Sequence, residues 1–332
     1  MTAYSGGQGN VYIQPEATYG TMVNPVAATA TASTTTVLGI QSNVNFSIDN
    51  SATTVRRIGS RAPADVIVGP GMVTGSVDFN YYGLYPLYWA LGAVADTDAT
   101  APWTWTITDS STLPPFTLTA ILDGTIDLDF QVGGCICTGV SMAVGTDGPI
   151  TGTMGFIGNE YRLAGATTPQ AVSIDDAPAN DAAQLSIELP DSTALTNVTN
   201  FSLDIANSAA VINRIGARKA PAYTTGGLDI TGSFDVFVQD TADGQDLLQR
   251  ILGADAATTI ANTVAETTLT LDYQTYADDD DDSWEISLSS VTLNTGAFAL
   301  PLDGPSTISV GFIAEDISAT WEAPIDNSSY DA

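Results

Sequence analysis

Val73–Phe79 reads VTGSVDF, and Ile230–Val236 reads ITGSFDV. The likeness extends outward on both sides. NFSIDNSATTVRRIGSRAPA (Asn45–Ala64) answers to NFSLDIANSAAVINRIGARKAPA (Asn200–Ala222), and LYWALGA (Leu87–Ala93) to LLQRILGA (Leu247–Ala254). DGPITGTMGFI (Asp147–Ile157) answers to DGPSTISVGFI (Asp303–Ile313). The offsets are 155 from Asn45 to Asn200, 157 from Gly75 to Gly232 and 156 from Gly148 to Gly304. Matching blocks in one order at a near-constant offset imply two tandem copies of one domain. Solenoid units run roughly 20–50 residues, so each copy here is domain-sized and can bury its own core. The expected division is 1–165 for the first copy, 166–180 for a linker rich in Pro, Asp and Ala, and 181–332 for the second copy.

Alternation sets the element type. Val73, Gly75, Val77, Phe79 and Tyr81 alternate with Thr74, Ser76, Asp78 and Asn80, and residues 230–239 repeat the pattern. A period of two with one apolar and one polar side is a half-buried strand. Ile126, Leu128, Phe130 and Val132 alternate in the same way with Thr125, Asp127, Asp129 and Gln131. Leu84–Val94 and Gly244–Asp255 lack alternation and are rich in Leu and Ala, so each predicts a short helix. Gly92 and Gly253 are placed to stop these helices, and Pro86 suits a first turn. The class expected is all-β with one short helix per domain.

Charge narrows the setting. The chain holds 38 Asp and Glu against 8 Lys and Arg, a formal charge of -30, with no His and one Lys. Hydrophobic residues still make up 44%, so the chain folds and is not a disordered acidic segment. Such a charge repels itself in dilute salt and is screened at about 1 M, where the Debye length is roughly 3 Å. A protein adapted to multimolar salt is the economical reading. The same imbalance disfavours a grip on nucleic acid, which needs cations to displace counterions, or on an anionic membrane. No apolar run approaches the ~20 residues of a membrane-spanning helix, and the N-terminal residues resemble no secretory leader.

Catalytic and metal chemistry find little support. Without His there is no imidazole base and no histidine ligand, and neither a P-loop nor a dinucleotide fingerprint occurs. Paired carboxylates could run glycoside hydrolysis, but salt adaptation explains the acids more simply. Cys135 and Cys137 are expected as small packing residues. The run Asp278–Asp282 is a candidate for a hard cation through Asp278, Asp280 and Asp282. It lacks the Gly and distal Glu of an EF-hand, and a solvated hairpin tip is the simpler reading. No metal, cofactor or enzymatic activity is expected.

Six of the eight cations fall in one matched segment: Arg56, Arg57 and Arg61, then Arg214, Arg218 and Lys219. That concentration favours contacts with acidic surface of a neighbouring subunit or ring. Local pairing with Asp49, Asp65 or Asp204 is the simpler alternative, and contact with DNA ranks below both.

The strand ending in PEATYGT (Pro15–Thr21), the strand carrying GS and the helix ending in LGA together resemble the tail tube proteins of tailed viruses. The second copy has LSIELPDST (Leu185–Thr193) where PEATYGT would stand. The resemblance implies tandem β-sandwich or barrel-like domains whose sheets join those of neighbours into a ring barrel. Rings then stack into a hollow tube in the virion tail, assembled in the host cytoplasm. Six domains per ring imply three two-domain chains. The implied partners are further copies of the chain and other tail proteins at the tube ends. Viral DNA passes through without specific binding, and no part inserts in a membrane. The lumen-facing positions are then Asp78, Asp127, Asp129 and Asp235. With the salt-adapted composition, a virus of halophilic archaea is the expected source. The competing reading is an extracellular surface-layer or carbohydrate-binding β-sandwich protein of a halophile.

Overall fold

The computed structural model describes residues 9–23, 40–96, 103–122, 128–164, 180–189, 193–195, 197–237, 247, 249–253, 258–260, 266–274, 283–299 and 306–323. The first half contains β1 (Gly9–Pro15), β2 (Ile40–Asp49), β3 (Ala52–Val55), β4 (Asp65–Val68), β5 (Met72–Asn80), β6 (Gly92–Asp96), β7 (Trp103–Asp109), β8 (Phe116–Leu122), β9 (Leu128–Val144), β10 (Thr151–Gly158) and β11 (Glu160–Ala164). Helix α1 (Tyr85–Leu91) lies between β5 and β6. The second half contains β12 (Leu185–Leu189), β13 (Thr193–Ala194), β14 (Val198–Asn207), β15 (Ala210–Ile212), β16 (Ala222–Thr224), β17 (Leu228–Phe237), β18 (Thr267–Gln274), β19 (Ser283–Ala299), β20 (Thr307–Ala314) and β21 (Asp316–Ala323). The fold is all-β, as expected.

One continuous antiparallel ladder runs β2-β5-β10-β9-β14-β17-β20-β19. Its first four strands and its last four follow one connectivity. A long strand (β9 or β19) ends each set, and β9 joins the sets by pairing with β14. A bulge recurs at matched places: opposite Gly155/Phe156 in one set, and at Leu293/Thr295, opposite Phe312/Gly311, in the other. A second pair of bulges falls at Gln41/Asn43 and Val198/Asn200.

That register corrects one letter match. Asn43 pairs with Asp78 as Asn200 pairs with Asp235, so Asn200 corresponds to Asn43 and not to Asn45. The offset along these strands is therefore 157, the same as between Gly75 and Gly232.

The other strands form two outer layers. β1-β8-β9-β11 covers the first set, and β12-β18-β19-β21 covers the second, extended by β7 and β6 from the first half. The halves are thus joined in both layers. β9 and β19, 17 residues each, start in an outer layer and finish in the long ladder. Each turns its corner through a left-handed residue, Gly134 at φ 57° and Ser290 at φ 50°. A strand that switches sheets at a bend joins two packed layers in one chain.

The core lies between the layers. Trp89 of α1 meets Phe116 of β8 with ring centroids 5.0 Å apart, and Phe116 meets Phe156 of β10 at 6.2 Å. Pro86 sits in the first turn of α1, and Gly92 ends it in the left-handed region, its N–H donating to the Tyr88 carbonyl. Gly253 closes the helical turn at Gln249–Ile251 with φ 109°. Cys135 and Cys137 are fully buried free thiols, with burial pushing Cys137 up to about 12. They are packing residues, as expected.

Gln131 departs from its expected wet position. It is buried, and its Nε2 donates to Thr119 Oγ1 at 3.0 Å and to the Val23 carbonyl at 3.3 Å. The segment around Val23 covers this face of β9, and local alternation does not register such a long-range cover. The expected linker at 166–180 lies outside the described residues except for Asn180, which bridges the start of β10 and the end of β5 through its backbone.

Candidate functional site: a wet sheet face, two open edges and two projecting hairpins

The long ladder buries one face and shows the other to water. In β5, Val73, Val77 and Phe79 are buried, while Thr74, Ser76, Asp78 and Asn80 point the opposite way. β17 repeats this with Ile230, Phe234 and Val236 against Thr231, Ser233 and Asp235. Each Asp is fixed by a hydroxyl from the next strand. Thr153 Oγ1 donates to Asp78 Oδ1 at 2.9 Å, and Ser309 Oγ donates to Asp235 Oδ1 at 2.5 Å. Asn43 Nδ2 adds a bond of 3.2 Å to Asp78 Oδ2. Asp204 and Asp229 lie on the same face by register, opposite Thr231 and Ala206. No strand of this ladder contains Lys or Arg. The face therefore offers carboxylates and hydroxyls, and no cation to hold a phosphate.

Of the four acids expected on this face, Asp78 and Asp235 share it. Asp129 lies at the outer-layer end of β9, its backbone paired with Ile121 and Ala164. Asp127 lies outside the described residues, as does the run Asp278–Asp282. Among the described residues, no group of three or more His, Cys, Asp or Glu could hold a metal ion.

Both ends of the ladder are open. β2 pairs only with β5, and the final segment of β19 (292–299) pairs only with β20, among the described residues. An open edge presents unpaired N–H and C=O groups and invites another strand.

The cation clusters sit on two hairpins. β3 and β4 carry Arg56, Arg57 and Arg61 at their turn; β15 and β16 carry Arg214, Arg218 and Lys219. Gly59 (φ 89°) and Gly216 (φ 84°) shape matched tips. Beside them Ile58 and Ile215 are fully exposed, at 103% and 102%. The guanidinium groups of Arg56, Arg57, Arg61 and Arg214 find no partner among the described residues. The second hairpin, in contrast, docks on the first half. Arg218 donates to Asn50 Oδ1 at 3.1 Å and its carbonyl accepts from Gly71 N at 3.0 Å; Lys219 forms an ion pair with Glu160.

Sequence reasoning passed over the role of Glu16, inside the quoted PEATYGT. Its buried carboxylate accepts from Thr117 Oγ1 at 2.7 Å, Gly134 N at 2.8 Å and Gly20 N at 2.8 Å. It ties the end of β1 to the corner of β9. A Glu among small residues at a strand end is the only local signal of this clamp.

Comparison with known proteins gives a family match. The sequence profile of a family described as phage tail tube protein matches residues 6–260, a continuous span across the β9–β14 junction. No curated protein matches the sequence. Among solved structures, a FadL homologue of Pseudomonas aeruginosa is 11% identical over 76% of this chain, with a TM-score of 0.10. The chain spans 62% of that structure's length.

Proposed function

The chain belongs to the phage tail tube protein family, and on that premise we propose that it polymerises as stacked rings of three chains. Each chain contributes two copies of one tail tube domain, so a ring holds six in pseudo-sixfold order. The β9–β14 ladder carries this reading. It fuses two four-strand sets of one connectivity into a single sheet, yet leaves open the two edges, β2 and β19, that correspond to the joined ones. A head-to-tail contact of that kind closes into a ring by rotation, and closure removes the open edges.

In this reading the wet face lines the bore. Asp78, Asp204, Asp229 and Asp235 give it a negative wall, and the absence of cations lets DNA move without adhering. The first hairpin, whose Arg56, Arg57 and Arg61 side chains meet no partner among the described residues, is left for a neighbouring chain or ring, whereas the second docks on the first half through Arg218 and Lys219. The protein is structural and not an enzyme. It joins other tail proteins at the tube ends, and the net charge of -30 suits a virus of a halophilic host.

Electron microscopy of purified tubes tests the reading. Three-chain rings with six density lobes around one barrel support it. Twelve domains per ring, flat sheets or isolated monomers at multimolar salt would sink it, and sheets would favour a surface-layer protein instead.

A further inference from the structure

The junction inside the chain is also a template for the junction between chains. In β9–β14 the pairs are Ser202 with Ala143, Leu203 with Met142, Asp204 with Ser141, Ile205 with Val140 and Ala206 with Gly139. Residues of β14 match β2 at an offset of 157, and residues of β9 match β19 at 156, as the shared bulges fix. We infer that β19 of one chain pairs antiparallel with β2 of a second copy in one register: Asn45 opposite Ala299, Phe46 opposite Phe298, Ser47 opposite Ala297, Ile48 opposite Gly296 and Asp49 opposite Thr295. This rests on the ring reading above and assigns it a specific seam.

Burial within one chain supports the occupant independently of strand order. Leu203 and Ile205, which face the core at the internal junction, are 1% and 0% exposed. Their counterparts at the open edge are Phe46, only partly buried, and Ile48, 44% exposed. The apolar row of β2 thus awaits the cover that β14 already receives. The outer layer shows the same contrast. β21 is covered by β7, and its Ala319 is 1% exposed; among the described residues the corresponding strand β11 pairs only with β9, and its Leu163 is 59% exposed. Among the described residues, two layers of the same half lack a neighbour on the same side, and the shape that fits both is the other half of this chain.

The register also keeps polarity consistent. Asn45, Ser47 and Asp49 extend the wet face of β2, and Ala297, Ala299 and Thr295 extend that of β19. Because β5 fixes the face of β2, a slip of one residue would set inward Ile48 opposite wet-face Thr295 or Ala297 and mismatch the two faces.

Cysteine pairs read the register directly. Opposed residues in an antiparallel pair lie about 4.5–5.5 Å apart at Cα, within disulfide range, whereas diagonal neighbours lie roughly 7–8 Å apart. The native thiols, Cys135 and Cys137, are buried and stay out of the reaction. Full-length Ser47→Cys/Ala297→Cys, and separately Asn45→Cys/Ala299→Cys, is assembled at high salt, oxidised and run on a denaturing gel. We expect covalent dimers and trimers from both, and at least fivefold less from the diagonal pair Ser47→Cys/Ala299→Cys. Rings that crosslink best through the diagonal pair, or through none, overturn this register while leaving the ring intact. Absence of rings from the unmodified protein overturns the ring reading and the seam together.

Discussion

Gly75 of β5 lies beneath the ring of Phe156 of β10, and a β-carbon at that position would collide with the ring and with the Asn45 carbonyl. Gly232 stands in the same relation to Phe312 and to the Ser202 carbonyl. The repeated TGS therefore has a steric cause: the glycine makes room for an aromatic ring between the layers. Gly75→Ala should lower stability by about 1–3 kcal/mol through overpacking. Urea unfolding at high salt checks this. Combining it with Phe156→Leu should cost less than the sum of the single changes, because the smaller side chain relieves the clash.

Glu16 offers a second test within the fold. Its carboxylate accepts three hydrogen bonds at the corner of β9. Bonds to a charged group contribute about 1.5–3 kcal/mol each, and stranded donors add to the loss. Glu16→Ala should therefore destabilise the first half by about 3 kcal/mol or more, with Glu16→Gln intermediate. Fluorescence-monitored unfolding distinguishes the two, and equal stability of both variants with the parent would refute the clamp.

The hairpins separate docking from local pairing. Arg57 and Arg214 lie at matched places, and neither guanidinium has a partner among the described residues. Replacing both by Ser should leave circular dichroism unchanged and block tube growth. Tubes of normal length from the double variant would return these residues to ordinary surface charge.

Charge reversal probes the bore. Asp78→Lys with Asp235→Lys puts cations where the wet face has none. At the lowest salt that keeps tubes assembled, DNA should be retained by variant tubes and released as salt rises, following counterion release. Parent tubes should retain none. Equal behaviour of the two would mean that this face does not line the bore.

Salt should control assembly. The charge of -30 is screened within roughly 3 Å at 1 M but within about 10 Å at 0.1 M. Dialysis to 0.1 M should shorten or dissolve tubes, read by light scattering alongside circular dichroism. Tubes that persist after salt removal would contradict a salt-adapted design.

Local pattern carried much of the fold. Alternation at 73–79 and 230–236 locates two ladder strands, and Gly92 and Gly253 mark helix ends that the backbone confirms with positive φ. The register was beyond it. The triplet NFS aligns Asn45 with Asn200 by letters, but a two-residue slip in a strand keeps the inward and outward pattern, so letters do not discriminate. The bulges and the glycine under Phe156 do. Gln131 reads as wet in its strand and is buried by a segment more than a hundred residues away in sequence. For the candidate site, Asp78 and Asp235 were legible because both are local to a regular strand. The β9–β14 pairing was not, since no residue in either strand names its partner.

The corner-turning strands have a mechanical consequence. β9 and β19 are each a single covalent span shared by both layers, bent once at Gly134 or Ser290. The two layers cannot shear past one another without breaking ladders on both sides of the bend. Each half behaves as one folded plate and not as two laminated ones. In the proposed ring, elastic give would be confined to the joints between plates, half of which the β9–β14 pairing closes within the chain.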